Sequence, residues 1–252
     1  MDLGLTNKEV LVVGIGKGIG KSIVKALIRE GANVTMISRN SDILMEIEKS
    51  TDIETRDISF YSADLMMKNA PRLLSKKLLM KNHDFDVIIH NIGHHFGIRD
   101  PLAPVDDWLK VWQLNIGIAI EMNEILIPPM IKKGWGRIIH ISSISAQILR
   151  GSPQYCTSKA YINAYVTTVG RFLADKGIVL SSIMPGAVEF EGGYWDEIKK
   201  TNPDKYYGFL KEHQAINRMG KPEEIAAFVL FMASVHSSFA PATNIPVDGA
   251  NM

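Results

Sequence analysis

The chain reads as a single α/β domain, a doubly wound parallel sheet with helices on both faces, and three observations carry that reading. Short apolar runs alternate with amphipathic helical patterns from residue 9 onward, the order that a parallel sheet with crossover helices requires. A glycine-rich turn, Gly14-Ile15-Gly16-Lys17-Gly18-Ile19-Gly20, joins the first run to the first helical pattern. The length, 252 residues, suits one α/β unit when domains average about 150 residues and such folds routinely run longer. Residues 1–252 are therefore expected to form one domain.

Composition narrows the function. Apolar residues at 46% and charged residues at 22% are ordinary globular values, and a net charge of +1 gives no electrostatic handle for nucleic acid or an anionic membrane. Neither partner is expected. The one cysteine, Cys156, has no intramolecular disulfide partner, which suits a reducing cytoplasm. No basic leader precedes an apolar run at the N-terminus, and no apolar stretch approaches the ~20 residues of a membrane span. A cytoplasmic protein is expected.

Taken in order, Glu9 to Val13 is an apolar strand and Ile19 to Arg29 a helix with Ile23, Val24, Leu27 and Ile28 on one face. The glycines between them let the backbone approach a pyrophosphate, whose charge the free N–H groups of the helix start would stabilise. The spacing is Gly-x-x-x-Gly-x-Gly, not the common Gly-x-Gly-x-x-Gly. The second strand, Asn33 to Ile37, leads into Ser38-Arg39 where a dinucleotide site for NAD usually carries a carboxylate. Arg39 with Lys17 offers two cations for a 2′-phosphate instead, so NADP(H) is expected; the alternative is two solvated surface cations.

Further strands are expected at Asp57 to Tyr61 and Asp86 to His90, with a helix over Pro71 to Met80 between them. Asp64 lies just past the third strand, where a carboxylate suits the adenine amino group. The fourth strand ends His90-Asn91-Ile92-Gly93, and Gly93 permits close backbone approach at the edge where ligands bind. His94 and His95 follow. With His90 they invite a metal reading, but neighbours in an extended strand face opposite ways and no cysteine or carboxylate completes the set. No metal is expected; His94 and His95 read as pocket-lining or loop residues.

Two helices, Val105 to Leu114 and Ile116 to Ile131, are expected to meet at Asn115, a polar interruption that must find partners. A fifth strand, Arg137 to Ile141, delivers Ser142 and Ser143 to the carboxyl edge. A long helix from Tyr155 to Asp175 then places Tyr155 and Lys159 four residues apart on one face. A phenol with a pKa of about 10 is a poor acid or base near neutrality unless a cation stabilises its phenolate, and Lys159 is expected to do so.

These elements together resemble the short-chain dehydrogenase/reductase family in its compact form, including relatives that reduce 3-oxoacyl thioesters. The resemblance rests on Gly14/Gly18/Gly20, Asp64, Asn91-Ile92-Gly93, Asn115, Ile141-Ser142-Ser143, Tyr155/Lys159, Pro185-Gly186 and Arg218-x-Gly220-x-Pro222-Glu223-Glu224. It implies a seven-stranded Rossmann fold, a homodimer or homotetramer, and a catalytic tetrad of Asn115, Ser143, Tyr155 and Lys159. The implied reaction is hydride transfer between nicotinamide and a carbonyl or secondary alcohol, with Tyr155 as general acid/base and Ser143, chosen over Ser142 on the resemblance, bonded to the substrate oxygen. The expected cofactor contacts are Gly14, Gly16, Lys17, Gly18, Ile19, Gly20, Ser38, Arg39, Asp64, Leu65, Asn91, Gly93, Tyr155, Lys159, Pro185, Gly186 and Val188. Departures include Val13, Ile92, Phe190 and Pro241, where the family usually has Thr, Ala, Thr and Gly.

The competing functions are a sugar-modifying dehydrogenase or epimerase and a non-catalytic NADP-binding regulator; an intact tetrad disfavours the regulator. The substrate is not fixed by the sequence beyond a small carbonyl or alcohol. A segment at about 189–217 is far longer than the two to six residues usual for a strand-to-helix connection. It is expected to form a lid hinged at Gly192-Gly193, with a short helix over Tyr194 to Lys200 and Tyr194 and Trp195 facing substrate beside His94 and His95. Ile118, Ile120, Ile125, Ile127, Tyr161, Tyr165 and Val169 are expected at a subunit interface.

Overall fold

A computed structural model describes residues 1–48, 58–81 and 84–251. Seven strands form one parallel sheet in the order β3-β2-β1-β4-β5-β6-β7: β1 Glu9–Val13, β2 Asn33–Ser38, β3 Ile58–Ser62, β4 Val87–His90, β5 Gly136–Ile141, β6 Ile178–Pro185 and β7 Asn244–Val247. The expected start of the third strand, Asp57, lies outside the described residues. The strands read as continuous Val/Ile runs because both faces are covered. Period-two alternation splits them: Val10, Val12, Met36 and Ile89 enter one core, and Leu11, Val13, Ile37 and Ile88 the other.

The first core is roofed by α1 Ile19–Arg29, α2 Asp42–Glu48 and α10 Pro222–Ala233. The second lies under α3 Ala70–Met80, α5 Ile118–Lys133 and α7 Pro153–Ala174. Between α5 and α7 come β5 and the single turn α6 Ser145–Ile148. Chain order reverses between β1 and β4, since β1 pairs with both β2 and β4. The crevice at their carboxyl ends is where such a sheet binds ligands.

Three expectations shift. The two helices meeting at Asn115 are one continuous run: α4 Val105–Trp112 passes through a π-helical turn, Gln113–Gly117, into α5. The cause is a side chain, because Asn115 donates to the Val111 carbonyl at 2.8 Å and, across to the loop after β4, to the His94 carbonyl at 2.9 Å, an inward aim that a wider turn accommodates. The fused helix, Val105–Lys133, spans 29 residues and is long and apolar enough to cross a membrane by length and composition alone, a test that the core helix of a globular protein also passes. Here it packs on the sheet, with Ile116, Ile118, Met122 and Leu126 buried in the second core.

The long helix α7 starts two residues before Tyr155, because Ser152 caps it by accepting from the Tyr155 N–H and Pro153 occupies its first turn. Of the residues expected at an interface, Ile118 and Ile127 are buried core, Tyr161 is exposed, and Ile120, Ile125, Tyr165 and Val169 are half-buried. The segment 189–217 folds as two helices, α8 Tyr194–Thr201 and α9 Pro203–His213, around a small core of their own.

Candidate active site

A groove of about 900 Å³ runs across the carboxyl ends of β1, β2 and β4. Its floor is the loop from Gly14 to Gly20, and close packing explains the glycines. A Cβ on Gly14, whose φ is +89°, would stand 2.5 Å from Ile92 and 2.9 Å from the Asn91 carbonyl; one on Gly20 would meet the Asn91 amide at 2.7 Å. That amide donates to the Gly14 carbonyl at 2.6 Å, and the Ser38 hydroxyl donates to the Ile15 carbonyl at 3.0 Å. Asn91 and Ser38 thus brace the loop from both neighbouring strands.

Of the expected cofactor contacts, Gly14, Gly16, Lys17, Gly18, Ile19, Gly20, Ser38, Arg39, Asp64, Leu65, Asn91 and Gly93 all line this groove. Lys17 and Arg39 are exposed, and among the described residues neither forms an ion pair. Asp64 is the only carboxylate in the lining, and its Oδ1 accepts from the Met66 N–H at 3.0 Å. Pro185, Gly186 and Val188 do not line it. Gly186 instead packs on the Asp248 backbone and Val188 bridges to Gly220.

Phe190 marks where the groove ends. Its ring is wedged between two glycines: a Cβ on Gly18 would fall 2.5 Å from it, and one on Gly193 2.9 Å. A bare hydroxyl or methyl at 190 would leave the start of α1 uncovered.

Beyond Gly93 the four tetrad side chains come together. A Cβ on Gly93 would lie 2.8 Å from Lys159 Nζ and 2.9 Å from Asn115 Oδ1. Lys159 is 2% exposed and donates to the Ile141 carbonyl at 2.8 Å. Ser143 stands beside the Tyr155 phenol, close enough to act on its pKa, and accepts from the Ser145 N–H at 3.1 Å. Ser142 is buried, and its hydroxyl donates to the Lys159 carbonyl at 3.3 Å. Strand alternation therefore turns only one of the two serines to Tyr155.

Burial sets the protonation states. Desolvation raises the Tyr155 pKa to about 12, with the Ser143 hydrogen bond pulling the other way. Desolvation also brings Lys159 down to about 7. The expectation that Lys159 lowers the Tyr155 pKa is not met in this structure. The ammonium stands 5.4 Å from the phenol ring centroid, over its face, and donates to the Ile141 carbonyl.

A glycine-lined groove at a helix start, next to a Ser-Tyr-Lys-Asn cluster whose Asn115 and Lys159 are buried and whose Ser143 and Tyr155 are half-buried, agrees with the comparisons with known proteins. A sequence profile described as Enoyl-(Acyl carrier protein) reductase matches residues 14–250. The chain belongs to the short-chain dehydrogenase/reductase family. The 3-oxoacyl-[acyl-carrier-protein] reductase of Chlamydia trachomatis is 32% identical over 252 residues, 97% of each chain. L-Sorbose reductase from Gluconobacter frateurii, solved with NADPH and L-sorbose, superposes with a TM-score of 0.86 at 26% identity, covering 99% of this chain and 98% of that one. A 7α-hydroxysteroid dehydrogenase solved with NADH superposes at 0.88 and 25% identity, covering 100% and 96%. This family member is an oxidoreductase acting on alcohol and carbonyl groups.

Around the family's tetrad, His95 lies edge-on to Tyr155, ring centroids 6.4 Å apart, and stacks on His94 at 5.1 Å. His90 is elsewhere: buried, stacked on His140 at 4.8 Å and paired through Nε2 with the Asn123 amide oxygen at 2.9 Å. Desolvation drops its pKa to about 4, so it is neutral. Among the described residues no three metal-ligating groups cluster. Trp195 is placed in the small α8–α9 core, 4.3 Å from the Phe209 ring, and neither it nor the exposed Tyr194 lines the groove. Helical periodicity explains this, since Trp195, Ile198, Tyr206, Phe209 and Leu210 make an apolar surface that α8 and α9 share.

The groove also uses residues that sequence reasoning passed over: Asn40, Ala63, Met66, Phe96, Leu114 and Ile118. Asn40, Ala63 and Met66 follow strand ends already picked out, so counting up to five residues beyond each expected strand would have found them. Phe96 adopts φ +52°, a backbone feature with no sequence signal.

Proposed function

We propose that this chain interconverts a ketone and its secondary alcohol with NADP(H), using Tyr155 as general acid and base. The observation that carries the reading is the meeting of Tyr155, Ser143, Lys159 and Asn115 at the end of a glycine-floored groove. The residues fit a dinucleotide: the Gly14–Gly20 loop floors the groove with open space over Gly16 at the approach to α1, and among the described residues Asn115 Oδ1 is a buried acceptor without a hydrogen-bond partner beyond Gly93. When bound, the nicotinamide supplies or accepts the hydride.

The side chains handle the proton. With its pKa near 12, Tyr155 keeps its proton through the neutral range and donates it to the carbonyl oxygen during reduction. Ser143, beside the phenol, donates to that same oxygen as negative charge grows on it. Lys159, near 7, holds or releases a proton at working pH and so restores the phenol. Asn115 Oδ1 accepts from a water that connects Lys159 with solvent.

Lys17 and Arg39 support NADP(H) over NAD(H), as cations at the β2 end of the groove that form no ion pair among the described residues. A charged hydrogen bond contributes roughly 1.5 to 3 kcal/mol when shielded. Exposure reduces each to about 1 kcal/mol, so together they favour NADPH by at least about tenfold. Fluorescence titration of NADPH and NADH tests this: the preference should be present in the parent and vanish in the Lys17→Ala/Arg39→Ala double variant. Equal affinities in the parent would sink the proposal.

The substrate reading rests on His94 and His95. Phe96 and Gly97 donate their N–H groups to Nδ1 of His94 and His95 at 2.8 and 2.9 Å. Each neutral ring therefore carries its proton on Nε2, a donor suited to an oxygen near the reacting carbonyl, as in an oxoacyl or hydroxyketone substrate. The segment 189–217 closes over this end as one body pivoting at Gly192-Gly193, and slower hydrogen exchange there with NADPH and product bound would show it. The protein works in the cytoplasm as a homodimer or homotetramer through α5 and α7, where Tyr161 and Phe172 remain exposed.

A further inference from the structure

A second cavity, of about 250 Å³, lies at the opposite edge of the sheet from the groove, between the start of β5, the end of α7 and the turn before β7. Arg137 is in its wall, a cation only 3% exposed. Its Nε donates to the Ser234 carbonyl and its Nη1 to the Gly136 carbonyl, each at 3.1 Å. The guanidinium stacks on Trp135 with Cζ 4.4 Å from the ring centroid, and Lys8 Nζ lies 4.4 Å from that same centroid.

What Arg137 lacks is an anion. Among the described residues no carboxylate comes within ion-pairing distance of it. Asp86 accepts the Arg137 backbone N–H on its carbonyl but gives its carboxylate to Lys8 and Lys133. The Ser234 carbonyl closes the C-terminus of α10, and a helix end contributes only about half a negative charge. Burying the remaining positive charge is costly unless it is paired. Arg137 Nη2 has no protein acceptor among the described residues, and no acidic residue lines the cavity to repel an anion.

We propose that this cavity is a binding site for a small oxyanion, phosphate or a short carboxylate, which accepts hydrogen bonds from the guanidinium edge that Ser234 and Gly136 leave free. Arginine's planar fork matches both anions. The volume admits such an ion and falls below the ~300 Å³ at which sites for larger ligands begin.

Trp135 touches the guanidinium and reports on the site. Inorganic phosphate titrated into the full chain, with chloride holding ionic strength constant, should change tryptophan fluorescence saturably with a midpoint of about 1–10 mM. The chain has four tryptophans, so loss of the change in Trp135→Phe assigns it; phosphate entering the groove would leave Trp135 unmoved. Arg137→Lys keeps the charge without the fork and should weaken binding at least tenfold. Ala174→Leu fills the cavity while leaving Arg137 intact, and should remove the response with turnover preserved; it decides the matter if the Arg137 variant does not fold. Acetate in place of phosphate separates the two anion classes, the one with the lower midpoint being the ligand class. A response that fails to saturate, that chloride reproduces, or that survives Ala174→Leu would overturn the proposal.

Discussion

Replacing Gly93 by alanine probes the heart of the site without removing any polar group. The new methyl would sit 2.8 Å from Lys159 Nζ and 2.9 Å from Asn115 Oδ1, against about 3.5 Å for an unstrained contact. Both side chains are buried, so each must yield roughly half an ångström. Overpacking of this kind costs about 1–3 kcal/mol, a Tm loss of roughly 2–12 °C at 2–4 °C per kcal/mol for a chain of this size. A displacement of 1 Å in a catalytic group costs about 10²-fold, so half of that should lower kcat roughly tenfold. Groove affinity should change less, since the Gly14–Gly20 loop is untouched. The assay is steady-state ketone reduction together with thermal melting. Parent values of both kcat and Tm would refute the placement of Lys159 and Asn115 against Gly93.

Two further outcomes are expected. Gly16 has nothing within 4 Å of a would-be Cβ and does not adopt positive φ, so Gly16→Ala should leave Tm within about 1 °C while its methyl, projecting from the groove wall, weakens NADPH binding; isothermal titration and melting separate the two effects. Lys159 in the folded protein is brought down by desolvation to about 7, from the 10.5 usual for a lysine. Its contribution to stability is therefore fully present above about 10.5 and is lost as pH falls through about 7. A Lys159→Met variant should flatten that part of the stability-pH curve, and an unchanged slope between pH 7 and 10 in denaturant melts would count against a desolvated Lys159.

Much of this architecture is legible in the sequence because its signals are local. Val/Ile runs of five or six residues mark strands buried on both faces, and the Gly14–Gly20 turn follows β1 at the point where the sheet's switch point falls. Of the tetrad, Tyr155 and Lys159 stand out by their i,i+4 spacing, and Asn115 and Ser143 only through the family resemblance. What escaped was set by tertiary contacts. The π turn at Gln113–Gly117 exists because the Asn115 amide reaches inward to two carbonyls, one of them His94 from a distant loop. Trp195 looks like a substrate contact until Phe209, fourteen residues later, is seen to pack on it. The Tyr155 pKa depends on depth of burial, which no i,i+4 spacing encodes.

The central claim, that the Tyr155 hydroxyl is the proton donor for ketone reduction, is tested most directly by single-turnover NADPH oxidation in Tyr155→Phe. The helix that carries Tyr155 is held to the sheet by Ile162, Val166 and Leu173, so the fold should survive the change. The rate should fall by at least the ~10² attached to a lost general acid, with NADPH affinity near that of the parent. A Tyr155→Phe enzyme that oxidises NADPH at the parent rate would contradict it.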